Sequence, residues 1–264
     1  MIASLIDVGA NLAHDSFDDD RAAVLERAGA AGLQAIVITG SSLASARKAL
    51  ELTRLHPGFL YATAGLHPHR ASEWSDELDD KFRELAQAPE LVSLGECGLD
   101  YFRDLSPRAD QQRAFIAQLQ LAAELKKPLF LHQRDAHADF LAILREQRAR
   151  LREVVVHCFT DTREALNDYL ALDCHIGITG WICDERRGQH LLEAVKDIPD
   201  ERLLIETDAP YLLPRNAPKV AHRRNEPCYL PYVVRALAQA RGQGEAQVAQ
   251  ITRDNARRFF NLSF

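Results

Sequence analysis

No CxxC pair occurs among the five cysteines, Cys97, Cys158, Cys174, Cys183 and Cys228, and their number is odd. A disulfide framework or a thiolate zinc site is therefore not expected, and reduced, mostly buried thiols are. The chain has no apolar run long enough to cross a membrane, and its opening stretch, MIASLIDVGANLAHDSFDDD, lacks the basic start of a signal peptide. A cytoplasmic protein with no membrane partner is expected. An excess of positive charge is also lacking: the formal net charge is −6. Broad wrapping of duplex nucleic acid draws on many Lys and Arg contacts to phosphate, so that mode of binding is disfavoured. Any polyanion has to be held locally. One stretch suits that role, because Arg215, Lys219, His222, Arg223 and Arg224 follow one another with no acid among them, although a solvated basic loop reads the same way.

Low-complexity tracts, coiled-coil heptads and Gly/Ser linkers are absent too. What is present is an ordinary globular balance of 47% apolar and 27% charged residues over 264 positions, a length at which α/β barrels of about 250 residues form one domain. Eight short apolar, β-branched runs recur: SLIDVG, QAIVITG, LYATAG, LVSLGE, PLFLHQ, VVVHCF, CHIGITG and LLIETD. Between them lie segments with apolar residues at intervals of three and four, namely DRAAVLERAGAAG, ASARKALELTRL, SDELDDKFRELAQ, DQQRAFIAQLQLAAELKK and AHADFLAILREQRAR. Two further helical stretches, LPYVVRALAQAR and EAQVAQITRDNARRFF, follow the eighth run, and Pro210 to Pro231 reads as one long functional loop. This alternation predicts repeated βα units around a parallel sheet, with residues 1–264 as a single domain. An open doubly wound sheet would alternate in the same way.

The polar residues favour the closed (β/α)8 TIM barrel, where the active site gathers at the carboxyl ends of the strands. Asp7 lies in the first run, His67 follows the third, and Glu96, His132, His157 and Asp208 end the fourth, fifth, sixth and eighth. A lone histidine at a strand end is usually structural. Carboxylates and imidazoles repeated around one ring are different, because buried charge there needs a metal or a partner. Cys97 and Cys158 each follow one of these residues, and strand alternation points both away from the lumen as packing residues.

The segments ITG, GLHPH, GECGLD, HQRDA, HCFT, GITGW, ETDAPYL and RRNEP, in this order and spacing over nearly the whole chain, resemble the TatD family of metal-dependent deoxyribonucleases. The resemblance implies an amidohydrolase-like barrel and phosphodiester hydrolysis at a divalent metal. By position, Glu96 would be a ligand shared between metals and His132 and His157 would hold one metal. Asp208 would bind metal and the attacking water, serving also as the candidate base. Many relatives carry an HxH pair on the first strand, whereas this chain has Gly9 and Asn11 there. Asn11 can offer an amide oxygen and Gly9 nothing, so a second site should be weaker or more aqueous. That suits Mg²⁺, which keeps several waters; Mn²⁺ and Zn²⁺ are the alternatives. His67, His69, Arg134, Arg223 and Arg224 are candidates for substrate phosphate, since its oxygens favour charge-assisted donors. Asn225, Glu226 and Pro227 look like residues that fix the loop after strand eight. Trp181 could stack on an unpaired base or cap the core.

The resemblance further suggests a monomeric 3′ to 5′ exonuclease on single-stranded DNA, or RNA, with a role in DNA repair or turnover. The competing reading is an amidohydrolase-type enzyme acting on a C–N or ester bond of a small molecule, since fold does not fix function. Many such enzymes bridge their metals with a modified lysine on strand four, where this chain has Glu96. A metal-dead binding protein is a third reading, and it predicts neither metal binding nor hydrolysis.

Overall fold

In the computed structural model, which describes residues 4–218 and 223–263, eight parallel strands form one sheet in chain order: β1 (Leu5–Ala10), β2 (Leu33–Ile38), β3 (Leu60–Ala64), β4 (Leu91–Asp100), β5 (Leu129–Arg134), β6 (Val154–Val156), β7 (His175–Ile178) and β8 (Leu203–Ile205). Each coincides with one of the apolar runs. Helices α1 (Arg21–Ala30), α2 (Leu43–Leu55), α3 (Asp76–Leu85), α4 (Arg108–Leu125), α5 (His137–Gln147), α6 (Arg163–Ala171) and α7 (Gln189–Ala194) alternate with the strands, and α8 (Leu230–Arg241) and α9 (Glu245–Phe260) follow them. The last two match the expected segments residue for residue. α6 and α7 are additional to the expected helices. Both are short, and a stretch of nine or six residues holds too few turns for a periodic apolar stripe to stand out.

The sheet curls into a nearly closed barrel whose seam lies between β1 and the segment after β8. There the Asp208 amide donates to the Gly9 carbonyl at 2.8 Å and the Asn11 amide to the Ala209 carbonyl at 2.6 Å. Asp7 reinforces the seam: its carboxylate accepts from the Thr207 amide at 2.9 Å and from the Thr207 hydroxyl at 2.5 Å. Its expected place in the polar ring is therefore corrected to a structural one. Burial pushes the Asp7 carboxyl up to about 7, against the lowering effect of these Thr207 hydrogen bonds.

Two apolar clusters surround the strands. The larger joins the outer strand faces to the helices and includes Cys97. The smaller fills the lumen with Ile6, Val8, Val37, Phe130, Val155 and Leu204, and Phe259 and Phe260 of α9 pack against its lower end. α9 thus plugs the end of the barrel opposite the strand carboxyl ends, and the open mouth is left for chemistry.

Candidate metal centre

The site follows from a change of polarity along the inward face of each strand. Phe130, Val155 and Leu204 fill the lumen, and two residues further on, by the period of a strand, stand His132, His157 and Glu206. Glu96 enters from β4 at a register shift against β5, between the partners Leu94↔Leu129 and Cys97↔Leu131. Strand alternation therefore does set Cys97 outward. It does not do so for Cys158, which lies beyond the end of β6 with φ of +47° and lines the same cavity as Glu96. That expectation is corrected: once the strand ends, its period no longer sets direction.

Three imidazoles converge on Glu96 Oε1: His157 Nε2 at 2.9 Å, His132 Nδ1 at 3.1 Å and His67 Nε2 at 3.4 Å. Burial alone would raise the Glu96 carboxyl; the adjacent His67, His157 and His132 instead hold it well below the usual carboxylate range. Burial favours neutral histidine, yet the neighbouring carboxylates hold His132 and His157 above their ordinary value. For His67 burial prevails and lowers it. Asp208 completes the centre from beyond β8. Its carboxyl is pushed up to about 7, by burial first, with the field of His157 opposing and those of Glu96 and Glu206 adding. The Asn11 side-chain amide donates to Asp208 Oδ1 at 2.9 Å and so orients Asp208 as well as lining the cavity.

The residues expected at the mouth divide. His67, His69, Arg134, Asn11, Glu96, His132, His157 and Asp208 all line one cavity of about 560 Å³. His69 faces Asp100 Oδ2 at 2.7 Å. Arg223 lines a neighbouring cavity that shares Trp181 and Leu212 with the first. Arg224 does not reach either: its guanidinium is committed to Asp20 at 2.6 Å and Glu226 at 2.9 Å and lies over the Phe17 ring. It is a loop fastener, in a position where two acids satisfy its fork. Lys219 and His222 of the basic stretch lie outside the described residues. Asn225 does hold the loop after β8, donating to the Thr207 and Tyr211 carbonyls at 2.8 and 2.6 Å.

Two acids of this region escaped the sequence reading. Asp100 lies 3.3 Å from His132 Nε2, and Glu206 has Oε2 3.5 Å from His157 Nδ1. Strand parity was the available signal for Asp100, which follows Glu96 by four within β4, and none marked Glu206, since Asp208 lies well past the end of β8. Glu206 is fully buried, with Oε1 accepting from the Cys158 amide at 2.6 Å. It also explains Gly9: a Cβ there would stand 2.3 Å from Glu206 Oε2. The space that a larger side chain on β1 would fill is occupied from β8.

The donor set fits a divalent cation. Among the described residues Glu96 has only imidazoles as ion-pair partners, and one ligand atom from each of His67, Glu96 and His132 lies within 4.8 Å of the others, as one ion requires. The outer nitrogens of two of these histidines face acids, His132 Nε2 at 3.3 Å from Asp100 and His157 Nδ1 at 3.5 Å from Glu206, which leaves the nitrogens on the Glu96 side for an ion. A proton on His157 Nδ1, facing Glu206, leaves the Nε2 lone pair for a metal, the arrangement by which outer carboxylates fix a ligand's tautomer. Glu206→Gln is accordingly expected to weaken Mn²⁺ binding about 10- to 100-fold with the fold retained. Titration followed by electron paramagnetic resonance measures this, and unchanged affinity would remove Glu206 from the centre.

Known proteins resemble this chain over nearly its full length. The family model described as TatD related DNase matches residues 6–261. A curated protein of Erwinia tasmaniensis named 3′-5′ ssDNA/RNA exonuclease TatD is 50% identical over 259 residues, 98% of this chain and 100% of its own. Among solved structures, a TatD family hydrolase from Entamoeba histolytica superposes with a TM-score of 0.90 at 27% identity. The YJJV TatD homologue from Escherichia coli k12 does so with 0.90 at 28%. Both cover 100% of each chain.

Proposed function

Because the chain belongs to the family of TatD related DNases, a hydrolase of phosphodiester bonds, we propose that it degrades single-stranded DNA or RNA from the 3′ end with Mg²⁺ at Glu96, His132, His157 and Asp208. The observation that carries this reading is the convergence of three imidazoles on one oxygen of Glu96 beneath an open cavity. His67, first assigned to phosphate, faces the same oxygen and joins the candidate ligands. The small-molecule amidohydrolase reading is not favoured, since the half-identical relative is named an exonuclease over its full length.

A bound divalent cation would supply a nucleophilic water at neutral pH and withdraw charge from the phosphate. The residues do the rest. Asp208, held by Asn11, takes the proton from the attacking water. Arg134, on the cavity wall, donates to the phosphate oxygens, and His69, oriented by Asp100, stands beside it. Glu96 and the histidines would hold the cation, whose charge offsets the carboxylates and lets an anionic substrate approach. We read the enzyme as a cytoplasmic monomer, in keeping with a sequence that carries no CxxC pair and an odd number of cysteines.

The test is digestion of end-labelled single-stranded and closed circular duplex DNA with Mg²⁺, Mn²⁺ or chelator. Chelation is expected to abolish hydrolysis, single strands to be consumed from the 3′ end, and closed duplex to persist. Full activity after exhaustive chelation, or equal rates on the two substrates, would overturn the corresponding part of the proposal.

A further inference from the structure

Large apolar side chains that remain exposed among the described residues are Leu55, Phe102, Leu105 and Tyr211. A single exposed aromatic is ordinary, but three of these four share one end of the barrel. Phe102 and Leu105 stand on the loop between β4 and α4, and Tyr211 stands on the loop after β8. In a sheet ordered β1 to β8, β4 and β8 lie on opposite sides of the barrel, so the loops that carry the two rings stand across the mouth from each other.

Both rings are tied to the metal centre. The Tyr211 amide donates to the Asp208 carbonyl at 3.0 Å, its ring lines the cavity, and His14 meets it edge-on with centroids 6.0 Å apart. On the far wall, Asp100 receives the Arg103 amide at 2.8 Å, which fixes the turn carrying Phe102. Arg134 lies over the Phe102 ring at 4.0 Å and itself lines the cavity. Trp181, the aromatic singled out from the sequence, is half-buried with Arg187 over its ring at 4.3 Å, so less of it is open to a base.

We propose that Tyr211 on one wall and the Phe102–Arg134 pair on the other bind the nucleobases flanking the phosphate held at the centre. They would thereby select an unpaired strand. The inference rests on the nuclease reading above and adds to it the residues that determine the substrate class. Stacking on an aromatic face needs a base whose own face is free, which a strand end offers and an intact duplex withholds. It is tolerant of sequence, since every base has such a face. Arg134 serves twice, as a cation over Phe102 and as a donor to the adjoining phosphate.

The experiment uses the Mg²⁺-loaded protein and a short phosphorothioate-linked single strand carrying 2-aminopurine at either of its last two 3′ positions. Quenching of the fluorophore on binding is expected in the wild type. Tyr211→Ala and Phe102→Ala should each weaken binding about 5- to 100-fold, and each should restore fluorescence at one position and not at the other. Tyr211→Phe and Phe102→Trp, which keep a ring, should retain both affinity and quenching. On cleavable strands the alanine variants should raise KM far more than they lower kcat. If the wild type hydrolyses single strands while both alanine variants, folded by circular dichroism, bind within about twofold of it, the inference is wrong and the nuclease reading stands. Should the wild type hydrolyse no strand at all, both are overturned.

Discussion

Glu96→Gln is expected to lower turnover of single-stranded DNA by about a thousandfold or more at saturating Mg²⁺, because metal-generated nucleophile and charge stabilisation are lost together. The substitution keeps the volume of the side chain. It removes the negative charge around which His67, His132 and His157 are arranged, and a neutral amide oxygen holds a divalent cation less strongly than a carboxylate does. Mn²⁺ affinity should fall in parallel. Cys97→Ser is the matched control: Cys97 is fully buried in the cluster behind the strand, and burial pushes its thiol up so that it stays protonated. Serine there should cost some stability and leave turnover largely intact. A folded glutamine variant with wild-type turnover would require the centre to be rebuilt around His132, His157 and Asp208.

The second large effect is on folding. Gly95→Ala is expected to destabilise the protein by roughly 4 kcal/mol or more, or to prevent folding, since it combines backbone strain with overpacking. Gly95 has φ of +114°, and a Cβ would fall 2.0 Å from the Phe130 carbonyl oxygen. That oxygen belongs to β5, so relief means parting β4 from β5 at the register shift that turns Glu96 inward. The contrast is Gly29→Ala on the exposed side of α1, where nothing lies within 4 Å of the added Cβ. This change should stabilise by about 0.5–1 kcal/mol, the ordinary gain of alanine over glycine in a helix. Urea unfolding of the two variants against the wild type measures both. A Gly95→Ala protein within about 1 kcal/mol of the wild type, well below the expected strain, would show that β4 and β5 separate easily there.

Much of this was legible along the chain. Strand and helix periods are local, and each apolar run became a strand while α8 and α9 fell where their patterns placed them. Glu96, His132, His157 and Asp208 could be named because acids and imidazoles recur at the ends of the fourth, fifth, sixth and eighth apolar runs. The family resemblance needed only the order of short motifs. Asp100 was visible by parity and Glu206 was not. Neither looks different from its neighbours Asp208 and Glu96 until the barrel shows which acid meets which imidazole.

The sequence by itself determined the βα alternation, the apolar lumen beneath a polar rim and the types of ligand at that rim, because these follow from residue chemistry and strand period. Only the tertiary structure decided what each polar group is for. Arg224 turned to Asp20 and Glu226, Asn11 to Asp208, Asp7 to Thr207 and His67 to Glu96, while Glu206 filled the space that Gly9 leaves open. Except for the pair Arg224–Glu226, these partners lie far apart in sequence. The strength of a hydrogen bond or ion pair depends on distances of a few ångströms that closing the barrel alone sets.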